Sequence, residues 1–273
     1  MPETSSMDAT PLVLVHGLWL HSDSWSRWLD FFHDHGYHAV AASWPGDAET
    51  TEATRRHPQA VANYGVTEIV DHVAGQFAAF DRKPVLIGHS FGGLVAQNLL
   101  GRGLAAGAIA ICPAPIKGVR EMPIAALRFA LPILRSPHNV KRAVSLTEAQ
   151  FRLGFGNAIP AAEARDLYSR YAMPAPARPL FQAATAMLNP WAATKVNLEY
   201  SNRGPLLLIA GSEDHATPPV WVRSTARLQQ RDGSSTTLRE FPGRGHSLVI
   251  DHGWRELAEY CVAWLHDHGF SAT

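Results

Sequence analysis

The sequence predicts an α/β protein with a mainly parallel sheet of about six strands, helices on both faces of that sheet, and an inserted segment of helices. Apolar runs of strand length alternate with periodic segments of helix length along most of the chain. Residues 114–203 differ, because prolines cluster there and no strand-like run occurs. The 273 residues, 46% hydrophobic and 18% charged, suit one large domain with an insertion.

The predicted elements follow in order from residue 11, after a disordered tail at 1–10. Strands are expected at 11–15, 37–43, 84–87, 108–112, 204–210 and 236–241. Helices are expected at 22–36, 67–80, 221–228 and 254–265, and from the turn after the third strand to residue 101. Thr67 is a possible helix cap, and an acidic loop precedes it. We therefore expect a core at 11–113 and 204–270 and a helical cap at 114–203, called the cap segment below.

Two similar histidine-rich stretches could suggest a metal site. They are His33-Asp34-His35-Gly36 and His266-Asp267-His268-Gly269, and each is followed by an aromatic residue. Histidines near a helix C-terminus and a glycine just after it are typical of helix ends. No further element supplies ligands at zinc-like spacing, so we expect no metal. Cys112 and Cys261 lie in apolar segments and are expected to be core residues.

The overall charge is balanced, with 24 Lys and Arg against 24 Asp and Glu. This balance gives no reason to expect nucleic acid or an anionic membrane as a partner. No apolar run approaches the roughly 20 residues of a membrane span, and the first ten residues have no leader-like pattern. We therefore expect a soluble, cytoplasmic protein. The charge is unevenly distributed along the chain. Residues 113–203 hold 12 basic and 5 acidic residues (net +7), and the rest of the chain holds 12 basic and 19 acidic residues (net −7).

The most informative motif is Gly88-His89-Ser90-Phe91-Gly92, which lies between a buried strand and a helix. It fits the G-x-S-x-G elbow, in which a strained turn holds the serine hydroxyl clear of the backbone. Only residues without a Cβ fit on either side of such a turn. Five residues alone are weak evidence, because glycines and serines also meet by chance in plain strand-to-helix turns. The buried strand before the motif and the helical spacing after it favour the elbow, and the rest of the chain has to decide.

Three candidate groups follow three predicted strands in the order Ser90, Asp214, His246. The carboxyl ends of parallel strands lie at one edge of a sheet, where ligand and catalytic groups gather. Asp214 could merely cap the next helix, and His246 could be one more surface histidine among 14. Glu213 is a rival for the acid. The conjunction of all three groups, each directly after its strand, favours a Ser-Asp-His site.

At these positions the chain resembles the α/β-hydrolase family, from residue 11 onward. The matching stretches are His16-Gly17-Leu18-Trp19, Gly88-His89-Ser90-Phe91-Gly92, Gly211-Ser212-Glu213-Asp214 with Pro218, and Gly245-His246-Ser247. The chain is most similar to small bacterial serine esterases and cofactor-free haloperoxidase-like members with a helical cap. Only ten residues precede residue 11, so we expect the family's N-terminal antiparallel strand pair to be missing.

The resemblance implies a role for each group. Ser90 would be the nucleophile, His246 the general base, and Asp214 the acid that orients the imidazole ring. The backbone N–H groups of Leu18 and Phe91 would form the oxyanion hole. We expect His16 and His89 to serve in packing or hydrogen bonding. No cofactor is implied.

The expected substrate is a small molecule with an acyl group. A serine at the elbow argues against dehalogenation and epoxide opening, which use an aspartate there in this family, and leaves esters, lactones, thioesters and carbon–carbon bonds beside a carbonyl. Trp19, His89, Phe129 and Phe155 are candidates to line an apolar pocket. The basic cap segment either faces the acidic core or steers an anionic substrate. Perhydrolase, haloperoxidase-like or hydroxynitrile lyase chemistry and a hydrolase-fold ligand receptor remain the alternatives.

Overall fold

The computed structural model describes residues 9–200, 202–230 and 235–272. Its main sheet consists of β1 Leu12–Val15, β2 Ala39–Ala42, β3 Val85–His89, β4 Gly107–Ile111, β7 Leu206–Gly211 and β8 Thr236–Phe241. The six strands lie in the order β2-β1-β3-β4-β7-β8, and all five pairings are parallel. This confirms the predicted sheet, including its size and its parallel character.

Helices cover both faces of this sheet. The core helices are α1 Ser26–Asp34, α2 Thr51–Arg56, α3 Val66–Gln76, α4 Phe91–Gly101, α9 Pro219–Gln229 and α10 Trp254–Asp267. Within the sheet, β2 lies on one side of β1, whereas β4 lies on the opposite side of β3, and β8 lies on that same opposite side of β7. Because such crossovers are right-handed, α1 lies on one face and α4 and α9 on the other. α10 packs beside α1.

The helix that follows Ser90 is the most enclosed element of the core. All eleven residues of α4 are buried, and α4 packs against β1, β3, β4 and α3. The strands it covers, β1, β3 and β4, are also fully buried, as expected for a parallel sheet with two covered faces. This enclosure fixes the position of the turn that carries Ser90.

The cap segment forms four helices: α5 Ile124–Leu134, α6 Glu148–Gly154, α7 Ala161–Tyr171 and α8 Arg178–Ala184. The expectation that it contains no strand is wrong. Two short strands, β5 Ala143–Val144 and β6 Ala175–Pro176, pair antiparallel. Each has only two residues, which is too short for the alternation that identifies a strand in a sequence. The domain boundaries themselves stay a prediction.

Three local expectations need correction. Residues 1–8 of the predicted tail lie outside the described residues, but Thr10 is buried and its N–H donates to Ser271 O at 3.0 Å. The helix expected at 67–80 covers Val66–Gln76, and Gly65 rather than Thr67 precedes it. Its first N–H, on Val66, donates to the Gln182 side chain of the cap segment at 2.8 Å. The acidic loop contains α2.

The two histidine-rich stretches are helix ends, as predicted. α1 ends before His35, whose Nδ1 donates to Phe31 O at 2.7 Å, and α10 ends before His268, whose Nδ1 donates to Trp264 O at 2.8 Å. Gly36 and Gly269 follow with φ of 80° and 74°. Among the residues that the structure describes, no helix is both long enough and apolar enough to cross a bilayer.

Candidate active site

The turn at Ser90 has the strained geometry that its glycines predict. Ser90 has φ 57° and ψ −122°, and it directly precedes the first residue of α4. A Cβ on Gly88 would lie 2.1 Å from Gly92 O, and a Cβ on Gly92 would lie 2.1 Å from Val15 O. Both contacts are far too short and involve backbone atoms, so only glycine fits at either position. The close approach to β1 brings Ser90 beside the loop that follows this strand.

Asp214 and His246 form a buried pair at the same edge of the sheet. Asp214 Oδ2 accepts a hydrogen bond from His246 Nδ1 at 2.7 Å, and the two side chains are at most 1% exposed. Because a carboxylate only accepts, the ring proton must lie on Nδ1, which leaves Nε2 free to take a proton. The rival acid, Glu213, is exposed, and its carboxylate contacts Ser212.

The Asp214 carboxylate is saturated with hydrogen bonds. Its Oδ1 accepts from the N–H groups of Ala216 and Thr217, each at 2.8 Å. Thr217 Oγ1 lies 2.9 Å from Asp214 Oδ2, 2.8 Å from Cys112 O and 3.2 Å from His246 Nδ1. The two N–H groups hold Oδ1, and the Thr217 hydroxyl, whose one proton is shared between Asp214 Oδ2 and Cys112 O, lies beside Oδ2 and keeps the carboxylate oriented toward the imidazole ring. Sequence reasoning missed Thr217, although its place three residues after Asp214 in a turn before a helix was a usable signal.

The turn that carries His246 is held by an ion pair. Asp251, which is buried, accepts from Arg244 Nη2 at 2.5 Å, from Gly253 N at 3.0 Å and from Ser247 Oγ at 3.0 Å. Arg244 also donates to Gly253 O at 3.1 Å. These contacts join the residues on both sides of His246 to the start of α10. The sequence contains no short-range pattern that pairs Arg244 with Asp251.

Two backbone N–H groups lie where an oxyanion hole would be expected. The N–H of Phe91 is the first of α4, so it has no partner within the helix. The N–H of Leu18 makes no hydrogen bond within the described part of the chain. A Cβ on Gly17, the residue before Leu18, would lie 2.6 Å from Ser90 Cβ and 3.2 Å from Ser90 Oγ. The peptide that carries the Leu18 N–H therefore lies against Ser90.

Aromatic side chains enclose the pair from the cap segment. Phe155 packs edge-on against His246, with ring centroids 4.7 Å apart. Phe129 contacts Phe155 at 6.2 Å and Trp19 at 5.5 Å. Trp19 has φ 65° and binds the cap segment twice, through Nε1 to Val144 O and through its carbonyl to Met173 N, each at 3.0 Å. Trp19, Phe129 and Phe155 thus form one apolar wall beside His246.

The site is closed in this structure. Ser90 is 6% exposed and His246 is 1% exposed. Within the described residues, Ser90 Oγ forms no hydrogen bond with His246, so the structure brings Asp214 to His246 but does not complete the contact with Ser90. Such contacts commonly tighten only in the substrate complex. A cavity of about 700 Å³ lies between α6 and His215 and is not lined by Ser90.

His89 and His16 are both buried and hydrogen-bonded. Burial lowers the pKa of His89 well below its usual value, so the ring is neutral. Its Nε2 donates to His246 O at 3.0 Å, and its ring lies 4.5 Å from that of His246. His16 is fully buried and binds Asp47 through Nε2 at 3.0 Å. Both rings make hydrogen bonds beside the site. Their roles, including the possible place of His89 in the pocket lining, stay predictions.

Cys112 lies close enough to raise the question of a metal site. Ligand atoms of Cys112, Asp214 and His246 all lie within 4.8 Å of one another. Burial, followed by the neighbouring Asp214 carboxylate, raises the pKa of the Cys112 thiol well above its usual value. The oxygens of Asp214 accept hydrogen bonds from protein donors, among them Ala216 N–H and His246 Nδ1. Asp214 and His246 thus form a hydrogen-bonded pair beside a buried thiol.

The sequence model described as Alpha/beta hydrolase family matches residues 12–260. The chain belongs to the α/β-hydrolase family. This membership, with esterases and lipases among the structural neighbours, supports hydrolase activity and a small-molecule substrate. No curated protein sequence matches this α/β-hydrolase.

Several solved structures share the fold of this α/β-hydrolase at low sequence identity. A monoacylglycerol lipase of Paleococcus ferrophilus is 23% identical, with a TM-score of 0.68 and 95% of each chain covered. An extracellular α/β-hydrolase of a Paenibacillus species is 20% identical, with a TM-score of 0.67 over 93% of this chain and 98% of that one. The esterase RhEst1 of Rhodococcus sp. ECU1013 is 17% identical, with a TM-score of 0.64 over 96% and 92%.

Proposed function

We propose that this α/β-hydrolase is a serine-dependent carboxylic ester hydrolase that works through an acyl-enzyme on Ser90. The observation that carries the proposal is the buried Asp214–His246 pair, whose 2.7 Å hydrogen bond orients an imidazole at the sheet edge where the Ser90 turn ends. A nucleophilic serine needs such a base, because its hydroxyl is weakly acidic on its own. The presence of a lipase and an esterase among the structural neighbours agrees with an ester as substrate.

The first half of the reaction forms the acyl-enzyme. Ser90 Oγ attacks the acyl carbon while its proton moves to His246 Nε2, and the negative charge develops on the former carbonyl oxygen. The Leu18 and Phe91 N–H groups, which have no other partner within the described chain, would bind this oxygen. Asp214 balances the charge of the imidazolium ring. The carbon–oxygen bond then breaks, and the leaving alcohol takes the proton from Nε2.

The second half returns the enzyme to its starting state. A water molecule gives its proton to His246 Nε2 and attacks the acyl carbon, and the Ser90 Oγ–carbon bond breaks as Oγ recovers the proton. The products are one carboxylic acid and one alcohol. Every proton is held by a group of this chain, so the steps require no cofactor.

The apolar wall indicates the class of acyl group. Trp19, Phe129 and Phe155 present aromatic surfaces beside His246, and these surfaces suit a hydrocarbon chain or ring. An apolar acyl group gains about 0.8 kcal/mol for each buried methylene. We therefore expect kcat/KM to rise with acyl length until the wall is filled.

The proposal is tested with a fluorophosphonate probe and a panel of esters of increasing acyl length, extended with lactones and thioesters. Wild-type protein should label stoichiometrically and hydrolyse the panel. Ser90→Ala should lose labelling and lose about 10⁵-fold in kcat. Ser26→Ala, at the start of α1, is the control and should match the wild type.

Equal labelling of Ser90→Ala and of the wild type contradicts the assignment of Ser90 as the nucleophile. Labelling without ester turnover, but with peroxide- or cyanohydrin-dependent turnover, favours perhydrolase or lyase chemistry instead.

A further inference from the structure

The cap segment carries a concentration of exposed apolar side chains. Across the described chain, nine large hydrophobic side chains are at least 40% exposed, and eight of them lie in the cap segment. All of these eight except Leu153 lie on two neighbouring parts of the segment, at 122–131 and at 187–191. We call these seven the apolar cap face. They are Met122, Ile124, Leu127, Leu131, Met187, Leu188 and Trp191. Scattered single residues of this kind are normal on a protein surface, but a cluster of seven is not.

Helix α5 supplies the centre of this face. Its inner side is formed by Ala126, Phe129 and Ile133, which are buried. Its outer side carries Ile124, Leu127 and Leu131 at helical spacing, 73%, 45% and 51% exposed. A surface helix normally places polar residues on its outer side. α5 is therefore apolar on the side that packs and also on the side that has no partner in this structure.

The second part of the face lies next to α5. α5 packs against α8, and α8 leads into the turn that carries Met187 and Leu188. Lys117 Nζ donates to Asn189 O at 2.7 Å, which joins this turn to the segment that leads into α5. Leu188 and Trp191 are 87% and 86% exposed, the largest exposures among these side chains.

Basic residues accompany the apolar cap face. Arg128 on α5 and Arg135, directly after its last residue, are exposed, and neither forms an ion pair within the described residues. The nearby acid, Glu121, faces the core instead, where its side chain accepts from Ser224 Oγ and its carbonyl accepts from Trp221 Nε1. The balanced total charge predicts no anionic partner, but the two exposed arginines give this face a positive charge of its own, within a segment whose net charge is +7 over residues 113–203.

We propose that the apolar cap face docks on the surface of an anionic phospholipid membrane. Apolar and tryptophan side chains beside arginines match an interface that offers both hydrocarbon and negative headgroups. A second copy of this chain fits less well, because a two-fold contact places Arg128 and Arg135 of one copy near those of the other. The inference concerns binding and does not depend on the ester hydrolysis proposed above.

The test measures co-sedimentation of the full chain with lipid vesicles. Vesicles of phosphatidylcholine and phosphatidylglycerol in equal parts should bind the protein, and vesicles of phosphatidylcholine alone should bind it at least about tenfold more weakly. Added salt should weaken the first interaction. Equal binding to both vesicle types at all salt concentrations would overturn the role of the arginines.

Variants locate the binding surface. Leu127→Gln with Leu131→Gln should weaken binding at least about tenfold. Leu104→Gln, 41% exposed in the turn between α4 and β4 of the core, is the control. Arg128→Gln and Arg135→Gln should each weaken binding about fivefold. Lys83→Gln, on the loop before β3 at the amino ends of the strands, should not change vesicle binding. Thermal unfolding of every variant verifies that it is folded.

Three outcomes separate the possible failures. If the α5 variants bind vesicles as the wild type does, the docking proposal is wrong. If the wild type dimerises in solution, does not bind vesicles, and becomes monomeric in the α5 variants, the face is an interface between copies. If vesicle binding is as expected but fluorophosphonate labelling fails, the proposed function falls and the docking surface stands.

Discussion

At the scale of single residues, Thr217 connects the candidate acid–base pair to the sheet. Its hydroxyl contacts Asp214, His246 and Cys112 O. Thr217→Val keeps the shape of the side chain and removes these contacts, so Asp214 loses a hydrogen bond worth about 1.5 to 3 kcal/mol. We expect kcat for a soluble ester to fall about 10- to 100-fold with KM little changed.

Two further variants make this prediction specific. Thr217→Ser keeps the hydroxyl and should retain most of the kcat. Thr225→Val removes a hydroxyl that is buried and has no partner within the described residues, so it should leave kcat unchanged and slightly raise the free energy of unfolding. If Thr217→Ser loses as much activity as Thr217→Val, the hydroxyl is not the group that matters.

The glycines beside Ser90 give a second residue-scale prediction. Gly88→Ala puts a methyl group 2.1 Å from a backbone oxygen, so we expect a loss of at least about 3 kcal/mol in the free energy of unfolding. Gly75→Ala, near the end of α3, meets nothing within 4 Å and should stabilise the protein by about 0.5 to 1 kcal/mol. Urea denaturation measures both changes. A stable Gly88→Ala protein would contradict the strained turn.

At the scale of elements, the turn with His246 depends on a buried acid. Asp251→Asn removes the charge that pairs with Arg244, whose side chain is only 14% exposed. Breaking such a pair costs about 3 kcal/mol of unfolding free energy, and kcat should fall because the turn loosens. Glu256→Gln affects a carboxylate that is 73% exposed and 3.7 Å from the same arginine. This control should cost less than about 1 kcal/mol in urea denaturation.

The loop after β1 makes folding sensitive to acid. Burial raises the pKa of Asp23, but hydrogen bonds from His21 and Thr51 outweigh it and lower the pKa to about 2. Between about pH 4 and pH 2 the unfolded chain therefore takes up the proton first, and stability falls as pH falls through this range. The Asp23→Asn protein should lose this part of the pH dependence in denaturation curves. The control Asp30→Asn, at an exposed position of α1, should keep it. An unchanged slope in Asp23→Asn would refute the assignment.

The elements that could be predicted from the sequence are those whose signal is local. The apolar runs of the six strands, the glycines of the Ser90 turn and the two helix ends at Gly36 and Gly269 each lie within about ten residues. β5 and β6 pair residues more than 30 positions apart with only two residues each, and Gln182 caps α3 from another part of the chain. Such contacts leave no periodic pattern, because they depend on how the cap segment folds back.

The candidate site divides in the same way. Ser90, Asp214 and His246 each follow a strand, so their common edge could be predicted, and the structure brings Asp214 and His246 within 2.7 Å. Thr217 has a local signal in the sequence, its place three residues after Asp214. The pairing of Arg244 with Asp251 has none, since it depends on a side-chain contact that no short-range pattern indicates. The exposure of the outer side of α5 is also invisible in the sequence, where its apolar residues look like core.

At the scale of the whole molecule, charge is separated between the cap segment and the core. The basic cap segment should attract anionic substrates toward the site. We expect kcat/KM for an ester with a carboxylate in its acyl chain to fall with added salt, by more than that of a neutral ester of the same length. Steady-state kinetics at a series of salt concentrations measures both. Equal salt dependence means that the basic residues do not steer the substrate.

Trp19 joins these two parts of the molecule. It follows Leu18, whose N–H is a candidate oxyanion donor, yet its indole and its carbonyl both bind the cap segment. Under the proposed function, an acyl group that displaced the cap segment would therefore pull on the peptide beside Leu18. The length of the acyl chain would then change the rate at which the ester bond breaks, as well as the affinity of the protein for the ester. Selectivity among esters of different acyl length would therefore appear in kcat.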